Sequence, residues 1–234
     1  MYWDSTGDWR LTYYSELAKR DVNTLSIIEK AELELDILEM YKTESILKCR
    51  SKGLFLDIGC GVGRQILELS RKWNGMKFWG IDISPYQIKI LNSIVYEKSI
   101  DNVYGIVMDA AHVGDLKNRF DIVTFYNNSF GCLSSIQQIE CLNTLNSIIV
   151  PDGILLISCF ERLDLIKQSY SEWGFPHAII DYSTGIADLG EYKSNWKTKD
   201  IFLPFFARNS EFSLEDSDES GLGTVYIFRK KGRR

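Results

Sequence analysis

The stretch LFLDIGCGVGRQIL, Leu54 to Leu67, decides the fold. It opens with a short apolar run, Leu54 to Ile58, which Gly59, Gly61 and Gly63 close at alternate positions. Ile66, Leu67, Leu69 and Trp73 then give the next segment a buried helical face. A strand, a glycine turn and a helix in this order usually bring backbone close to a nucleotide-like ligand. Several ligands use that arrangement, so the rest of the chain must choose between them.

Outward from the loop the pattern alternates. KFWGIDI (77–83) reads as a second strand and leads into Ser84-Pro85-Tyr86-Gln87, where Ser84 suits an N-cap, Pro85 the first helical position and Gln87 the capping-box partner. Ile88, Leu91 and Val95 form the stripe of the helix that follows. NVYGIVMD (102–109) and FDIVTFYN (120–127) read as strands three and four, and a helix follows over about 135–148. Pro151-Asp152-Gly153 turns into a fifth strand, GILLISCF (153–160). A helix over 162–172, a break at Gly174-Phe175, a sixth strand AIIDYS (178–183) and a final strand TVYIFRK (224–230) complete the set. Residues 184–223, with LPFF at 203–206, give no clean period. Strands alternating with helices, apolar on both faces, predict an α/β protein with a doubly wound, mostly parallel seven-stranded sheet and helices on both faces.

Ahead of the first strand, Ile28, Ala31, Leu35 and Leu38 predict a helix over about 23–48, with Ser26 and Glu29 at capping-box spacing. Before it lie Tyr2, Trp3, Trp9, Tyr13 and Tyr14. Residues 1–50 therefore read as an N-terminal helical extension, a lid if the aromatics cover a site, and 51–234 as the sheet domain, in one compact unit.

The 234 residues are 45% hydrophobic and 25% charged, as in a soluble globular protein. No window is apolar enough for a membrane helix, and the polar start MYWDSTGDWR is not a secretory signal. The net charge of −5 disfavours a nucleic-acid partner. The basic tail RKKGRR (229–234) reads as a solvated end, and EDSDES (215–220) as an exposed loop tip. Five cysteines without a C-x-x-C spacing predict thiols in a cytoplasmic protein, and two histidines, His112 and His177, make a metal site improbable.

The acids at the strand ends select the ligand. The dinucleotide fingerprint G-x-G-x-x-G needs its third glycine where Arg64 stands, and the Walker pattern is absent. Asp57 precedes the loop by two residues and would repel a pyrophosphate while attracting an ammonium group. Asp82 ends strand two, where a carboxylate can accept both ribose hydroxyls. Asp109 ends strand three and can take an adenine amine. The alternatives are a loop-stabilising hydrogen bond for Asp57, a helix N-terminal charge for Asp82 and a turn former for Asp109. An adenosine cofactor with an ammonium and no phosphate suits this rim.

These residues resemble class I S-adenosylmethionine-dependent methyltransferases. DIGCGVG (57–63) looks like their first motif, GIDISP (80–85) the second and Asp109-Ala110 the third; FDIV (120–123) with YNNSFG (126–131) and PDGIL (151–155) resemble the fourth and fifth strand regions. The resemblance spans about 50–160. It implies a last strand antiparallel to the rest, S-adenosylmethionine as cofactor and S-adenosylhomocysteine as product. It also implies cofactor contacts from Asp57, Gly59, Cys60, Gly61, Gly63, Asp82, Ile83, Asp109 and Ala110, with Tyr126 or Asn127 near the transferable methyl group.

The post-strand-four segment lacks both prolines of the N-P-P-[YF] loop of enzymes that methylate nucleic-acid bases. A small-molecule nitrogen or oxygen acceptor is therefore expected, with Tyr14, Asn128 and Phe130 as lining candidates. Protein or RNA methylation, or cofactor binding without catalysis, are the alternatives. Catalysis needs only an in-line nucleophile and exclusion of water, so a base is optional. Glu161, Asp181 and Tyr182, past strands five and six, are the candidate bases. The expected partners are a small molecule, no DNA and no membrane, for a monomer or homodimer.

Overall fold

In the computed structural model the apolar run before the glycines is β1 (Gly53–Ile58), and the chain from Arg64 to Lys72 is helix α2. The structure describes residues 19–172, 175, 177–181, 183–190, 193–195 and 198–232. The aromatic segment with Tyr14, the Gly174 break and Tyr182 lie outside the described residues. Helix α1 (Ile27–Cys49) precedes β1, and β2 (Met76–Asp82), α3 (Pro85–Glu97), β3 (Val103–Val107), β4 (Phe120–Phe125), α4 (Ser135–Ile148) and β5 (Ile149–Phe160) follow in alternation. After α5 (Leu163–Glu172) come three short strands, β6 (Ile179–Asp181), β7 (Ile186–Asp188) and β8 (Lys193–Asn195), then α6 (Lys199–Asn209), β9 (Phe212–Ser220) and β10 (Gly223–Lys230).

Seven strands form one sheet in the order β3-β2-β1-β4-β5-β10-β9. The first five run parallel, and β10 is antiparallel to both β5 and β9. Alternate residues of each strand feed opposite faces, as the strand period requires. Phe55, Phe78, Ile122 and Leu156 pack with α1, α2, α3 and α5, while Leu56, Ile81, Val123 and Leu155 pack with α4 and α6. Burial on both faces explains why the strands read as continuous apolar runs.

Two expectations are corrected. Residues 178–183 are not the sixth strand of the large sheet, because β6 pairs with β7, and β7 with β8, in a separate antiparallel sheet. The sixth strand is β9, inside the segment that gave no period. It is an edge strand whose last six residues are EDSDES, so that acidic block is a strand and not a loop tip. Charge suits an edge, since it discourages pairing with another chain. Lys42 of α1 bonds Asp216 and Asp218 across this edge. LPFF is legible afterwards: it belongs to α6, where Phe202 and Phe206, four apart, are buried against Tyr226 and Phe228 despite Pro204 inside the helix.

Helix α1 starts as its capping box predicts. Ser26 Oγ accepts the Glu29 amide, and the Glu29 carboxylate accepts the Ser26 amide. Ile28, Ala31, Leu35 and Leu47 are buried against the sheet, yet so are Asp36, Glu39 and Thr43. Among the described residues no helix is long and apolar enough to cross a membrane.

Candidate active site

The carboxyl ends of β1, β2 and β4, with the segment after β3, surround a cavity of about 270 Å³. It lies at the switch point of the sheet, where chain order reverses beside β1. A smaller lobe of about 80 Å³ shares Gly59, Gly61, Gln87, Tyr126 and Asn127 with it and adds Asp57, Cys60 and Arg64.

All three loop glycines have left-handed backbone, with φ of 75°, 56° and 77°. The amides of Gly59 and Cys60 donate to the Ile81 carbonyl at 2.8 and 3.0 Å, hooking the loop onto the end of β2. A Cβ on Gly59 would lie 2.8 Å from Ser129 Cβ, and one on Gly63 would lie 2.5 Å from Leu91 Cδ1. The first glycine therefore admits the turn after β4, and the third admits α3. Left-handed backbone and close approach both call for glycine here.

Each acid at the strand ends has a structural bond and also lines the cavity. Asp57 is 1% exposed and its Oδ1 accepts from Thr124 Oγ1 at 2.9 Å. Burial pushes its carboxyl up to about 7; the Thr124 bond opposes this and the Asp82 charge adds to it. Asp82 Oδ2 accepts the Gly61 amide at 2.8 Å and Oδ1 the Ser84 amide at 2.9 Å, so one side chain holds the glycine loop and the start of α3. Asp109 Oδ1 accepts the Ala111 amide at 2.9 Å and caps the 3-10 turn from Ala110 to Asp115. An ionised carboxylate offers about four lone-pair sites, so these bonds leave room for a ligand. Ile83, beside Asp82, is an apolar wall residue 64% exposed, with Met108 and Ala110 also on the lining.

The turn after β4 closes the other side. Asn127 and Asn128 both have left-handed backbone, with φ of 50° and 59°. Two such non-glycine residues in succession are uncommon, and asparagine tolerates the conformation best. The Asn127 amide donates to Glu39 Oε1 at 2.7 Å. Thr43 Oγ1 donates to the Glu39 carbonyl, so at its 2.6 Å contact with Tyr126 the phenol is the donor.

The remaining candidates fall away from the cavity. Phe130 packs between Phe125 and Phe202 in the core, and Asn128 is buried, its amide bonding Ser194 Oγ and its Oδ1 the Phe160 amide; neither lines the cavity. The sequence could not tell a wall residue from one that fastens the wall. Glu161 is half-buried and accepts from the Tyr226 hydroxyl, with burial raising its carboxyl. Asp181 is exposed in the small sheet. Bonds from Ser183 and Thr184 hold its carboxyl down to about 2, which makes it a turn builder. His177 is exposed ahead of β6. The small sheet instead touches the turn after β4, where Asn195 Nδ2 donates to the Leu133 carbonyl at 2.9 Å.

Sequence reasoning passes over Gln87, Met108, Ser129, Cys132 and Gln137, all of which line the cavity. The signal for the two glutamines was available. Helices that start at the rim turn first-turn side chains toward the ligand, but Gln87 was explained by capping without it, and Gln137 was not singled out. Asp36, Glu39 and Thr43 carried no such signal.

Residues 55–153 match the family described as a methyltransferase domain. The Rickettsia prowazekii protein RP028 is 29% identical over 103 residues, which span 44% of this chain and 41% of that relative's length. The PH0226 protein of Pyrococcus horikoshii OT3 shares the fold with a TM-score of 0.66 at 19% identity, over 84% of this chain and 90% of that one. Magnesium protoporphyrin IX methyltransferase of Synechocystis PCC 6803 superposes with a TM-score of 0.63 at 15% identity, over 97% of each chain. Over residues 55–153, from β1 into β5, the chain is thus similar to a methyltransferase domain, and its fold is shared with a methyltransferase of known structure.

Proposed function

We propose that the protein transfers a methyl group from S-adenosylmethionine to a nitrogen or oxygen atom of a small molecule and releases S-adenosylhomocysteine. The observation that carries this is the row of carboxylates Asp57, Asp82 and Asp109 around one cavity beside β1. Such a lining accepts hydroxyls, an amine and an ammonium, and repels phosphate. Asp82 suits the ribose hydroxyls, Ile83 and Met108 the faces of the adenine, and Asp109 with the Ala110 amide its edge. Asp57, Gly59, Cys60 and Gly61 suit the amino-acid end in the smaller lobe, Gly63 seats their loop against α3, and Tyr126 and Asn127 form the wall between the two lobes. When bound, the cofactor supplies a methyl group already made electrophilic by its sulfonium. The chain's contribution is to orient an acceptor and exclude water.

Three features favour a small acceptor. The cavity is lined by carboxylates, the chain's net charge is −5, and the small sheet is fastened to Leu133, itself on the lining. We read residues 1–50 as an extension of the domain that begins near residue 51; the bonds of α1 to Arg64 and Asn127 support this. We also read the protein as cytoplasmic, from five cysteines that show no C-x-x-C spacing.

Incubation with methyl-labelled cofactor and fractionated cell extract tests the reading. Label in the metabolite fraction supports it, label in protein or RNA moves the acceptor class, and cofactor binding without transfer to any fraction rejects catalysis. Asp82→Ala is expected to weaken S-adenosylmethionine binding by about 1–3 kcal/mol, since charged hydrogen bonds are lost. Calorimetry showing the wild-type affinity would reject the role given to Asp82.

A further inference from the structure

Helix α1 faces the sheet with a stripe of three polar side chains, Asp36, Glu39 and Thr43, at 3-4 spacing. All three are buried. Each holds a different part of the cavity wall. Asp36 pairs with Arg64, which follows the glycine loop and lines the smaller lobe. Thr43 holds the Tyr126 hydroxyl. Glu39, 1% exposed, accepts the Asn127 amide at 2.7 Å and also the Ser158 hydroxyl from β5. Asn127 stands two residues past the end of β4, at a left-handed turn. Removing Glu39 takes an acceptor from the Asn127 amide at a strained backbone position.

We propose that Glu39 is a positioning residue: by holding the Asn127 amide it fixes the Tyr126–Asn127 wall between the two lobes of the cavity, and so sets how the site distinguishes a sulfonium from a thioether. The proposal rests on the cofactor reading above and adds to it a residue from outside the methyltransferase motifs. A buried carboxyl raised to about 8, chiefly by desolvation and further by Asp36, is mostly protonated at neutral pH, yet its second oxygen still accepts. Glutamine is then a close replacement, and alanine removes the acceptor.

Two measurements on the full chain test this, with Glu39→Gln and Glu39→Ala beside wild type. The first is calorimetry with S-adenosylmethionine, S-adenosylhomocysteine and adenosine. Glu39→Ala is expected to change the affinity ratio of the first two ligands by roughly fivefold or more while adenosine binding moves less than about twofold; Glu39→Gln should keep the wild-type ratio. The second is amide hydrogen exchange at Asn127 without ligand, which should be protected in wild type and Glu39→Gln and lose roughly tenfold or more of that protection in Glu39→Ala. An unchanged ratio in Glu39→Ala, or an equal loss for adenosine, overturns the proposal, as does an Asn127 amide that stays protected. If wild type binds none of the three ligands the cofactor reading fails, and the exchange result alone then decides the hold that Glu39 exerts. Should Glu39→Ala not fold, a Glu39→Gln variant with an altered ratio and an exposed amide counts against the proposal in the same way.

Discussion

Without cofactor, the protein is expected to unfold at lower urea concentration at about pH 8.5 than at about pH 5.5, a loss on the order of a few kcal/mol. Two fully buried carboxyls cause it. Burial raises Asp57 from 3.8 to about 7 and Glu39 from 4.5 to about 8. A carboxyl whose folded pKa lies above its unfolded one binds its proton more tightly when folded. Its contribution is complete below the unfolded value and is lost as pH rises through the folded one, here between about 4 and 8. Asp181 and Asp188 shift the opposite way but are exposed at the surface, where solvent weakens their effect. Glu39→Gln keeps a neutral amide at every pH, so its stability should fall less steeply. A flat stability profile from pH 5.5 to 8.5 would show that both carboxyls ionise at ordinary values.

The same shift has a consequence for binding. Asp57 lines the smaller lobe, and an ammonium brought beside it favours its ionised form. S-adenosylmethionine binding at about pH 7 should therefore release a fraction of a proton, seen as a binding enthalpy that varies with the ionisation enthalpy of the buffer. Asp57→Asn should abolish that variation.

The sequence disclosed the parts of this protein that obey local rules. The strand ends at Ile58 and Asp82, and Asp109 two residues past β3, were legible because apolar runs stop at glycines and acids, and the start of α1 because Ser26 and Glu29 cap it. The second half resisted for physical reasons. In β9 the edge position removes the need for apolar alternation, so EDSDES looked like a loop. In α6 a proline inside the helix hid the pairing of Phe202 with Phe206. The small sheet has strands of three residues, too short to show a period, and its AIIDYS start imitated a strand of the main sheet. Asp36 and Glu39 illustrate a further limit. A charged residue on a helix is presumed solvated, and only the tertiary partners, Arg64 for one and the Asn127 amide for the other, turn that face inward.

Gly221→Ala should lower stability by about 2–4 kcal/mol, the sum of a left-handed backbone penalty and local overpacking. Gly221 begins the turn between β9 and β10 with φ of 58°. A Cβ there would stand 1.9 Å from the Ala31 carbonyl oxygen and 3.0 Å from the Leu35 amide nitrogen, both backbone atoms of α1. No side-chain rotation relieves such a clash, so the helix or the hairpin must move. The next residue also contributes, since the Leu222 amide donates to the Ala31 carbonyl at 3.3 Å, and the Leu222 carbonyl accepts the amides of Glu161 and Arg162. Displacing α1 at Ala31 also displaces Asp36 and Glu39, one and two turns further on, and with them the bonds to Arg64 and Asn127. The variant is thus expected to melt roughly 5–15 °C lower, for a chain of this length, and to bind S-adenosylmethionine more weakly although residue 221 lies outside the cavity lining. A melting temperature within about 2 °C of wild type would mean that α1 is held less closely than this contact requires, and the coupling of helix to cavity would fall with it.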